Sequence, residues 1–407
     1  MIRELSRWGS VVRGAVFALV LGSTTAWSQP GRAWEPVSHG VLDSGSYDSV
    51  LVRPDGTVWG WGWPYSFFQG PAPAQWEGVT DVVAVSAGFQ HTLALRADGT
   101  VWAWGENSWG QLGDGTYQWR FTPAPVPGLT DVVAISAGPG HSLALRADGT
   151  VWGWGLNFQG QLGLGDAPGP PWWEPRLRPV KVEGLVDGVA ISAGERHSLV
   201  LLADGTVWGM GDNSSGQLGE GGYEAHSPVR VPGISGVKHL EASRGHSLAV
   251  REDGTVWAWG DNSFGQLGDG TATSRRSPGR VGDLSDVVAV SSGGTHALAL
   301  GRDGTVWAWG HNAGGQLGDG TTTARRSPAR VPGLDKAVAI GTGHWHSMAL
   351  LKDGTVWAWG LNHQYSLGDG TRETRLSPAR VLLPCRFTGL PSLDNRDLQP
   401  RACHGAP

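Results

Sequence analysis

The chain has 407 residues, of which 65 are Gly and 23 are Trp, and only 16% of its residues are charged. Because disordered chains lack aromatic residues, this composition indicates a folded protein that uses Gly and Trp repeatedly. The net charge of −5 argues against the strongly basic surface of a nucleic-acid-binding protein. Two cysteines exclude a disulfide-dense scaffold and a Cys-based zinc cage.

Residues 1–28 have the layout of a secretory signal peptide. Three arginines precede a short apolar run at residues 15–21, and a small-x-small pattern ends at Ser28, where we expect cleavage. The run is too short to span a bilayer, and no later segment approaches the ~18 apolar residues that a spanning helix needs. We therefore expect an exported protein, periplasmic or extracellular, with no membrane span. The alternative is an N-terminal extension that stays in place.

The remaining sequence is dominated by one repeat. The pentapeptide Asp-Gly-Thr-Val-Trp begins at Asp55, Asp98, Asp148, Asp204, Asp253, Asp303 and Asp353, so the mean period is about 50 residues. A fixed period of this size is typical of repeat architectures. The repeats occupy residues 29–383, and a tail of residues 384–407 leaves the pattern.

Each repeat predicts four short antiparallel strands. An apolar run that ends in small residues comes first, and the alternating stretch 91–96 follows as a strand in the second repeat. The pair Asp98-Gly99 predicts a hairpin in which both residues take positive φ, and a Gly-rich turn leads to a last extended piece. Because a four-stranded unit cannot bury both faces alone, the sequence predicts an all-β, seven-bladed propeller, with the small-residue strand innermost.

The motifs AGxxHSLAL, DGTVWxWGxNxxGQLGDGT and SPxxV resemble the regulator of chromosome condensation repeat, and the match covers about residues 38–383. We interpret the chain as a secreted bacterial member of that family. The first repeat departs most, with Asp48 where the others have His. The resemblance implies a seven-bladed propeller with interaction surfaces on its faces. Members include nuclear exchange factors for a small GTPase and secreted inhibitors of β-lactamases.

Six repeats carry a His seven residues before the Asp-Gly-Thr turn: His91, His141, His197, His246, His296 and His346. A residue that occurs once per blade follows the scaffold, and neighbouring copies lie too far apart for one metal ion. We expect each ring to fix its own blade through a backbone hydrogen bond. We predict no metal site, no cofactor and no catalytic residues.

The loops that differ between repeats are the candidate binding sites. The first three repeats carry aromatic side chains there, namely Trp63, Tyr65, Phe67, Phe68, Trp109, Tyr117, Trp119, Phe121, Phe158, Trp172 and Trp173. The last three carry arginines, among them Arg275, Arg276, Arg325, Arg326, Arg372 and Arg375. Aromatic residues and Arg are enriched at binding hot spots. The alternatives are that the aromatic residues pack their own loops and that the arginines pair with Asp269, Asp319 and Asp369.

In an exported protein, Cys385 and Cys403 form a plausible disulfide, and two free thiols are the alternative. Taken together, the sequence predicts a monomeric, non-catalytic propeller that binds a protein partner of unknown identity, inhibitor-like or at the cell envelope, and does not bind nucleic acid. The alternatives are an exchange-factor-like regulator of a small GTPase and a glycan-binding or glycan-acting propeller.

Overall fold

A computed structural model describes residues 40–62, 72–165 and 174–384. These residues form seven four-stranded antiparallel sheets, and each sheet is built from four strands that are consecutive in the chain. The predicted all-β, seven-bladed propeller is therefore confirmed.

The blades follow one another in chain order. Blade 1 contains β1 (Leu42–Ser44), β2 (Asp48–Val52), β3 (Val58–Gly62) and β4 (Ala74–Gln75); blade 2 contains β5 (Val82–Ala87), β6 (His91–Arg96), β7 (Val101–Gly105) and β8 (Arg120–Pro125). Blade 3 contains β9 (Val132–Ala137), β10 (His141–Arg146), β11 (Val151–Gly155) and β12 (Arg176–Lys181); blade 4 contains β13 (Gly188–Ala193), β14 (His197–Leu202), β15 (Val207–Asp212) and β16 (Glu224–Arg230). Blade 5 contains β17 (Val237–Ala242), β18 (His246–Arg251), β19 (Val256–Gly260) and β20 (Arg275–Arg280). Blade 6 contains β21 (Val287–Ser292), β22 (His296–Gly301), β23 (Val306–Gly310) and β24 (Arg325–Arg330); blade 7 contains β25 (Ala337–Thr342), β26 (His346–Leu351), β27 (Val356–Gly360) and β28 (Arg375–Arg380).

The Asp-Gly-Thr turn joins the second and third strands of each blade. In blade 2 the Gly99 N–H bonds to the Arg96 carbonyl, and Asp98 accepts hydrogen bonds from the backbone and the hydroxyl of Thr100 at 3.0 and 2.6 Å. Only Gly99 has positive φ, at 78°. The predicted two-residue hairpin with both residues at positive φ is thus wrong. A three-residue turn that ends in a left-handed Gly lets the aspartate stay in an ordinary conformation and cap the turn with its carboxylate.

The core lies between the blades. The second Trp of the hairpin, replaced by Met210 in blade 4, is buried at the junction with the preceding blade. The indole N–H of Trp154 donates to the backbone carbonyl of Gln111 at 2.8 Å. Trp259, Trp309 and Trp359 repeat this bond with Gln217, Gln266 and Gln316. The first strands of neighbouring blades contact one another all round the ring. The small-residue strand is therefore innermost, as predicted.

Blade 7 closes the ring by packing directly on blade 1. The indole of Trp61 donates to the Ser366 carbonyl at 2.9 Å, and Leu42 and Leu51 share a buried cluster with Met348 and Leu367. Every described blade consists of its own four strands, so side chains rather than strand exchange make this seam.

Candidate protein-binding face

The two ends of the blades form two different faces. One face carries the turns between the first and second strands and the longer loops between the third and fourth strands. We call it the loop face. The hairpin face carries the Asp-Gly-Thr turns and the connections between blades. The hairpin-face segments have similar sequences from blade to blade, whereas the loop-face segments differ. The candidate binding residues in the described part of the chain belong to these loops or to the fourth strands that leave them.

Five of the predicted aromatic residues lie together on blades 2 and 3, and we call them the blade 2–3 patch: Trp109, Tyr117, Trp119, Phe121 and Phe158. Each side chain is between 36% and 48% exposed. The rings of Trp109 and Phe158 meet edge to face across the blade junction with centroids 5.1 Å apart, and Trp119 lies 6.3 Å from Phe121. Large exposed aromatic side chains in contiguous groups are typical of interaction surfaces.

Six other predicted aromatic residues lie outside the described residues: Trp63, Tyr65, Phe67, Phe68, Trp172 and Trp173. Cys385 and Cys403 also lie outside them. Of the aromatic residues predicted from the sequence, only those of the blade 2–3 patch therefore lie within the described residues.

Three of the predicted arginines pair within their own loops. Arg275, Arg325 and Arg375 contact the carboxylates of Asp269, Asp319 and Asp369 at 3.2, 2.5 and 2.7 Å. Each carboxylate also accepts two hydrogen bonds from a Thr two residues later. These contacts favour the structural alternative for the three arginines.

The other three arginines are placed differently. Arg276 crosses to blade 4, where its guanidinium donates to the Gly221 carbonyl at 3.1 Å and lies 5.8 Å from the ring centre of Tyr223. Arg372 lies over the ring of Tyr365 at 4.5 Å. Arg326 is exposed on the fourth strand of blade 6. Of the six arginines, these three leave a cation on or near the surface for a partner.

The loop face carries a second aromatic group that the sequence did not predict. Phe264 of blade 5 contacts His311 of blade 6 with ring centroids 4.9 Å apart. His311 in turn contacts Trp345 of blade 7 at 5.6 Å, and Trp345 contacts His344 at 5.2 Å. These residues come from three blades and two kinds of loop, so their proximity depends on the closed ring. The basic sector of the face is therefore also aromatic.

The repeated histidines join neighbouring blades. The Nε2 atoms of His91, His141, His197 and His296 lie 2.9–3.1 Å from Ser142, Ser198, Ser247 and Ser347, each in the next blade. His346 reaches Ser49 across the seam at 2.9 Å, and His246 reaches Ser292 at 2.7 Å because blade 6 has Ala297 at the usual serine position. The expected bond to backbone of the same blade is not the one observed.

The direction of these bonds follows from the serine hydroxyl. Ser142 donates its single hydroxyl proton to the Gln111 carbonyl at 2.9 Å, so its oxygen can only accept from the ring of His91, which must carry its proton on Nε2. Desolvation by burial lowers the pKa of His91, His141, His197 and His296 to about 3 and that of His246 and His346 to about 4. The imidazole rings are thus neutral hydrogen-bond donors, and each joins its blade to a serine of the next blade.

A second set of inter-blade bonds surrounds the axis. The next-to-last residues of the first strands form what we call the axial ring, namely Asp43, Ser86, Ser136, Ser192, Glu241, Ser291 and Gly341. Ser86, Ser136 and Ser192 each accept the backbone N–H of the following blade at 2.8–3.0 Å, and Asp43 accepts that of Ala87 at 2.9 Å. The ring is therefore a repeated acceptor position at which two blades carry a carboxyl group.

Burial perturbs the acidic groups in this part of the molecule. Desolvation raises the pKa of Asp43 to about 6 and that of Glu241 to about 8, with the charge of Asp43 adding to the effect. Asp48, which replaces the repeated His in blade 1, has its pKa raised to about 7, mainly by desolvation. Within the described residues, no group of three or more His, Cys, Asp or Glu side chains could hold a metal ion. The same part of the chain contains no helix long and apolar enough to cross a membrane.

These features define a seven-bladed propeller whose blades are joined by buried Trp and His side chains and whose loops carry exposed aromatic side chains at one end of the ring. The model of the RCC1-like domain matches residues 66–392, about four-fifths of the chain. The chain therefore belongs to the RCC1-like domain family. No curated protein matches the sequence significantly.

Three solved structures show the same fold. The chain is similar to human WBSCR16, with 27% identity, a TM-score of 0.72, and 82% of this chain and 95% of that chain covered. It is also similar to yeast RCC1 (Prp20) bound to Kap60, with 24% identity, a TM-score of 0.72, and coverage of 88% and 89%. Prp20p from Saccharomyces cerevisiae, described with its binding properties to Gsp1p and histones, gives 23% identity, a TM-score of 0.70, and coverage of 88% and 90%.

Proposed function

We propose that this protein is an exported, non-catalytic binding module that holds a protein partner on its loop face, chiefly through the blade 2–3 patch. The observation that carries the proposal is the exposure of five large aromatic side chains on neighbouring blades, of which Trp109 and Phe158 contact each other across the blade junction. Burying such side chains yields a large hydrophobic gain at low conformational cost, which is why they dominate interface energetics. Arg276, Arg326 and Arg372 add cationic contacts on other blades.

Features of the scaffold support a rigid binding surface. The described loops of blades 2, 4, 5, 6 and 7 are each held at the base by a hydrogen bond from the buried Trp indole of the next blade. Six blades also have a His–Ser bond to the next blade. A pre-organised surface loses little conformational entropy on association. The family also supports a role in protein recognition, since the yeast relative was solved bound to Kap60.

The test is a combined variant in which Trp109, Trp119 and Phe158 are replaced by Ala. The purified protein is first screened against the secreted proteins of its host and against a glycan array. For the protein partner found, we expect the triple variant to weaken binding at least ~100-fold, as loss of two or more hot-spot residues does. Its melting temperature should stay close to that of the native protein, because the three side chains are exposed.

Val186→Ser on the hairpin face is the matched control, since Val186 is an exposed apolar residue far from the loops. Release of product from a glycan would refute the non-catalytic proposal, and unfolding of the triple variant would refute a role confined to binding. Mixing the protein with a small GTPase loaded with labelled nucleotide tests the exchange-factor alternative. Accelerated release of the nucleotide would support that alternative over the proposed binding module.

A further inference from the structure

A repeated glutamine holds the loop between the third and fourth strands in five blades. Its side-chain oxygen accepts the backbone N–H of the residue two positions earlier at 2.9–3.0 Å, in Gln111, Gln161, Gln217, Gln266 and Gln316. In blades 4, 5 and 6 its amide NH₂ group also bonds to the residue five positions earlier, at 2.8–3.0 Å. The scaffold thus places one buried carboxamide at each of these junctions.

Blade 7 lacks this carboxamide. Ser366 stands at the glutamine position, and a cavity of about 310 Å³ opens there beside blade 1. Among the described residues, none accepts a hydrogen bond from the backbone N–H of Gln364, which is the position that the glutamine oxygen satisfies in the other blades. The cavity therefore presents a backbone donor where five blades show an amide oxygen.

The remaining walls indicate what kind of amide would fit. Trp345 and Tyr47 line the cavity together with His346, which burial keeps neutral, and with His363. Among the described residues, no Asp, Glu, Lys or Arg lines it, so a neutral ligand is favoured. Leu361 takes the position from which Asp212, Asp261 and His311 bind the NH₂ group in blades 4 to 6. A leucine cannot accept a hydrogen bond, so an NH₂ group placed against it would be unpaired, as that of Gln161 is among the described residues of blade 3, where Leu156 holds this position.

We propose that the seam cavity binds the acetamido group of an N-acetylhexosamine. The acetamido oxygen accepts the Gln364 N–H, its methyl group packs on Leu361, and the sugar ring lies against Trp345. Apolar and aromatic walls with a few placed polar groups are the usual make-up of small-ligand sites of this volume. This site lies at the junction of blades 7 and 1, apart from the blade 2–3 patch, and does not depend on the proposed protein partner.

The test measures binding of free N-acetylglucosamine by calorimetry and by saturation-transfer NMR on its acetyl methyl protons. Glucose, which lacks the acetamido group, and glutamine, which carries a primary carboxamide, are the comparison probes. We expect saturable binding of N-acetylglucosamine with strong transfer to the methyl group, and affinity at least ~10-fold weaker for both comparison probes, a difference of ~1.4 kcal/mol.

Ser366→Gln is the decisive variant, because it restores the repeat's own carboxamide and fills the cavity from within. It should abolish N-acetylglucosamine binding while the protein stays folded, since blade 3 already carries Gln161 with Leu156 five positions earlier and no partner for its NH₂ group among the described residues. Trp345→Ala is the second variant and should weaken binding ~10-fold or more by removing the stacking surface. Gln364→Ala keeps the backbone N–H and should retain binding.

Several results would overturn the proposal. Unchanged binding in Ser366→Gln would place the sugar elsewhere, and tighter binding of glutamine would make the site a primary-carboxamide site. Loss of binding in Gln364→Ala would assign the contact to the side chain. The absence of saturable binding by N-acetylglucosamine would reject the site itself.

Discussion

Acidification should unfold this protein through its buried histidines. Their folded-state pKa values of about 3 to 4 lie below the ordinary 6.5 because desolvation penalises the imidazolium ion. The unfolded chain therefore binds more protons than the folded chain below pH 6.5. The stability that these groups contribute is present above pH 6.5 and is lost as the pH falls toward their folded pKa values.

The size of the effect follows from the linkage relation. Between pH 7 and pH 5 each histidine costs about 1.9 kcal/mol of unfolding free energy, so six cost on the order of 11 kcal/mol. The raised pKa values of Asp43, Asp48 and Glu241 oppose this loss and return at most on the order of 6 kcal/mol. We expect a net loss of about 5 kcal/mol or more, which is comparable with the whole stability of many domains.

Urea unfolding followed by tryptophan fluorescence at pH 7, 6 and 5 measures this loss directly. His296→Gln removes one titrating ring while leaving an amide that can donate to Ser347, so it should reduce the loss between pH 7 and 5 by about 1.9 kcal/mol. Ser347→Ala is the matched control, because it breaks the same 2.9 Å bond without removing a titrating group. It should lower stability at every pH and leave the pH dependence unchanged.

Stability that is flat or rises between pH 7 and 5 would refute this reasoning, since the folded histidines would then accept protons as readily as the unfolded ones. If the unfolding free energy of the native protein and of His296→Gln depended equally on pH, the lowered pKa of His296 would be refuted.

Two further predictions concern single positions, both measured by urea unfolding. Gly318→Ala should lower the free energy of unfolding by about 1–3 kcal/mol more than Gly333→Ala. Both glycines have positive φ, so the backbone strain is similar. An added Cβ at Gly318 would lie 2.7 Å from the Trp359 indole nitrogen, whereas at Gly333 it meets nothing within 4 Å. Equal costs would show that backbone strain alone decides both. Glu241→Ser should stabilise the protein increasingly as the pH rises from about 5 to above 8, because the stability linked to the raised pKa of Glu241 is lost as pH rises through about 8. An unchanged difference between pH 5 and 9 would contradict the raised pKa.

The sequence predicted the features that recur within one repeat. The spacing of the Asp-Gly-Thr turns is enough to give the blade number, and alternation in stretches such as residues 91–96 is enough to give the strands, because hairpin pairing is local. Even there, the turn type was wrong, since a Gly preceded by Asp is compatible with more than one hairpin.

Contacts between side chains of different repeats could not be predicted from the sequence. The bond between His91 and Ser142 spans 51 residues, and nothing local distinguishes it from a bond to the histidine's own blade. The contacts of His311 with Phe264 and Trp345 depend on how three blades are arranged in the ring. The sequence did not single out Glu241, which lies in a strand that also contains Lys238 and His239, because its significance comes from its position in the axial ring.

The seam has a consequence for biosynthesis. Ser49 of blade 1 must wait for Ser366, 317 residues later, before it acquires its hydrogen-bond partner. At a translation rate of 5–20 residues per second, that wait is roughly 15–60 s. During this interval the first blade exposes the apolar flank that blade 7 will eventually cover. The nascent chain therefore exposes this apolar surface of blade 1 longer than the flanks that later blades cover, which gives a chaperone more time to act there.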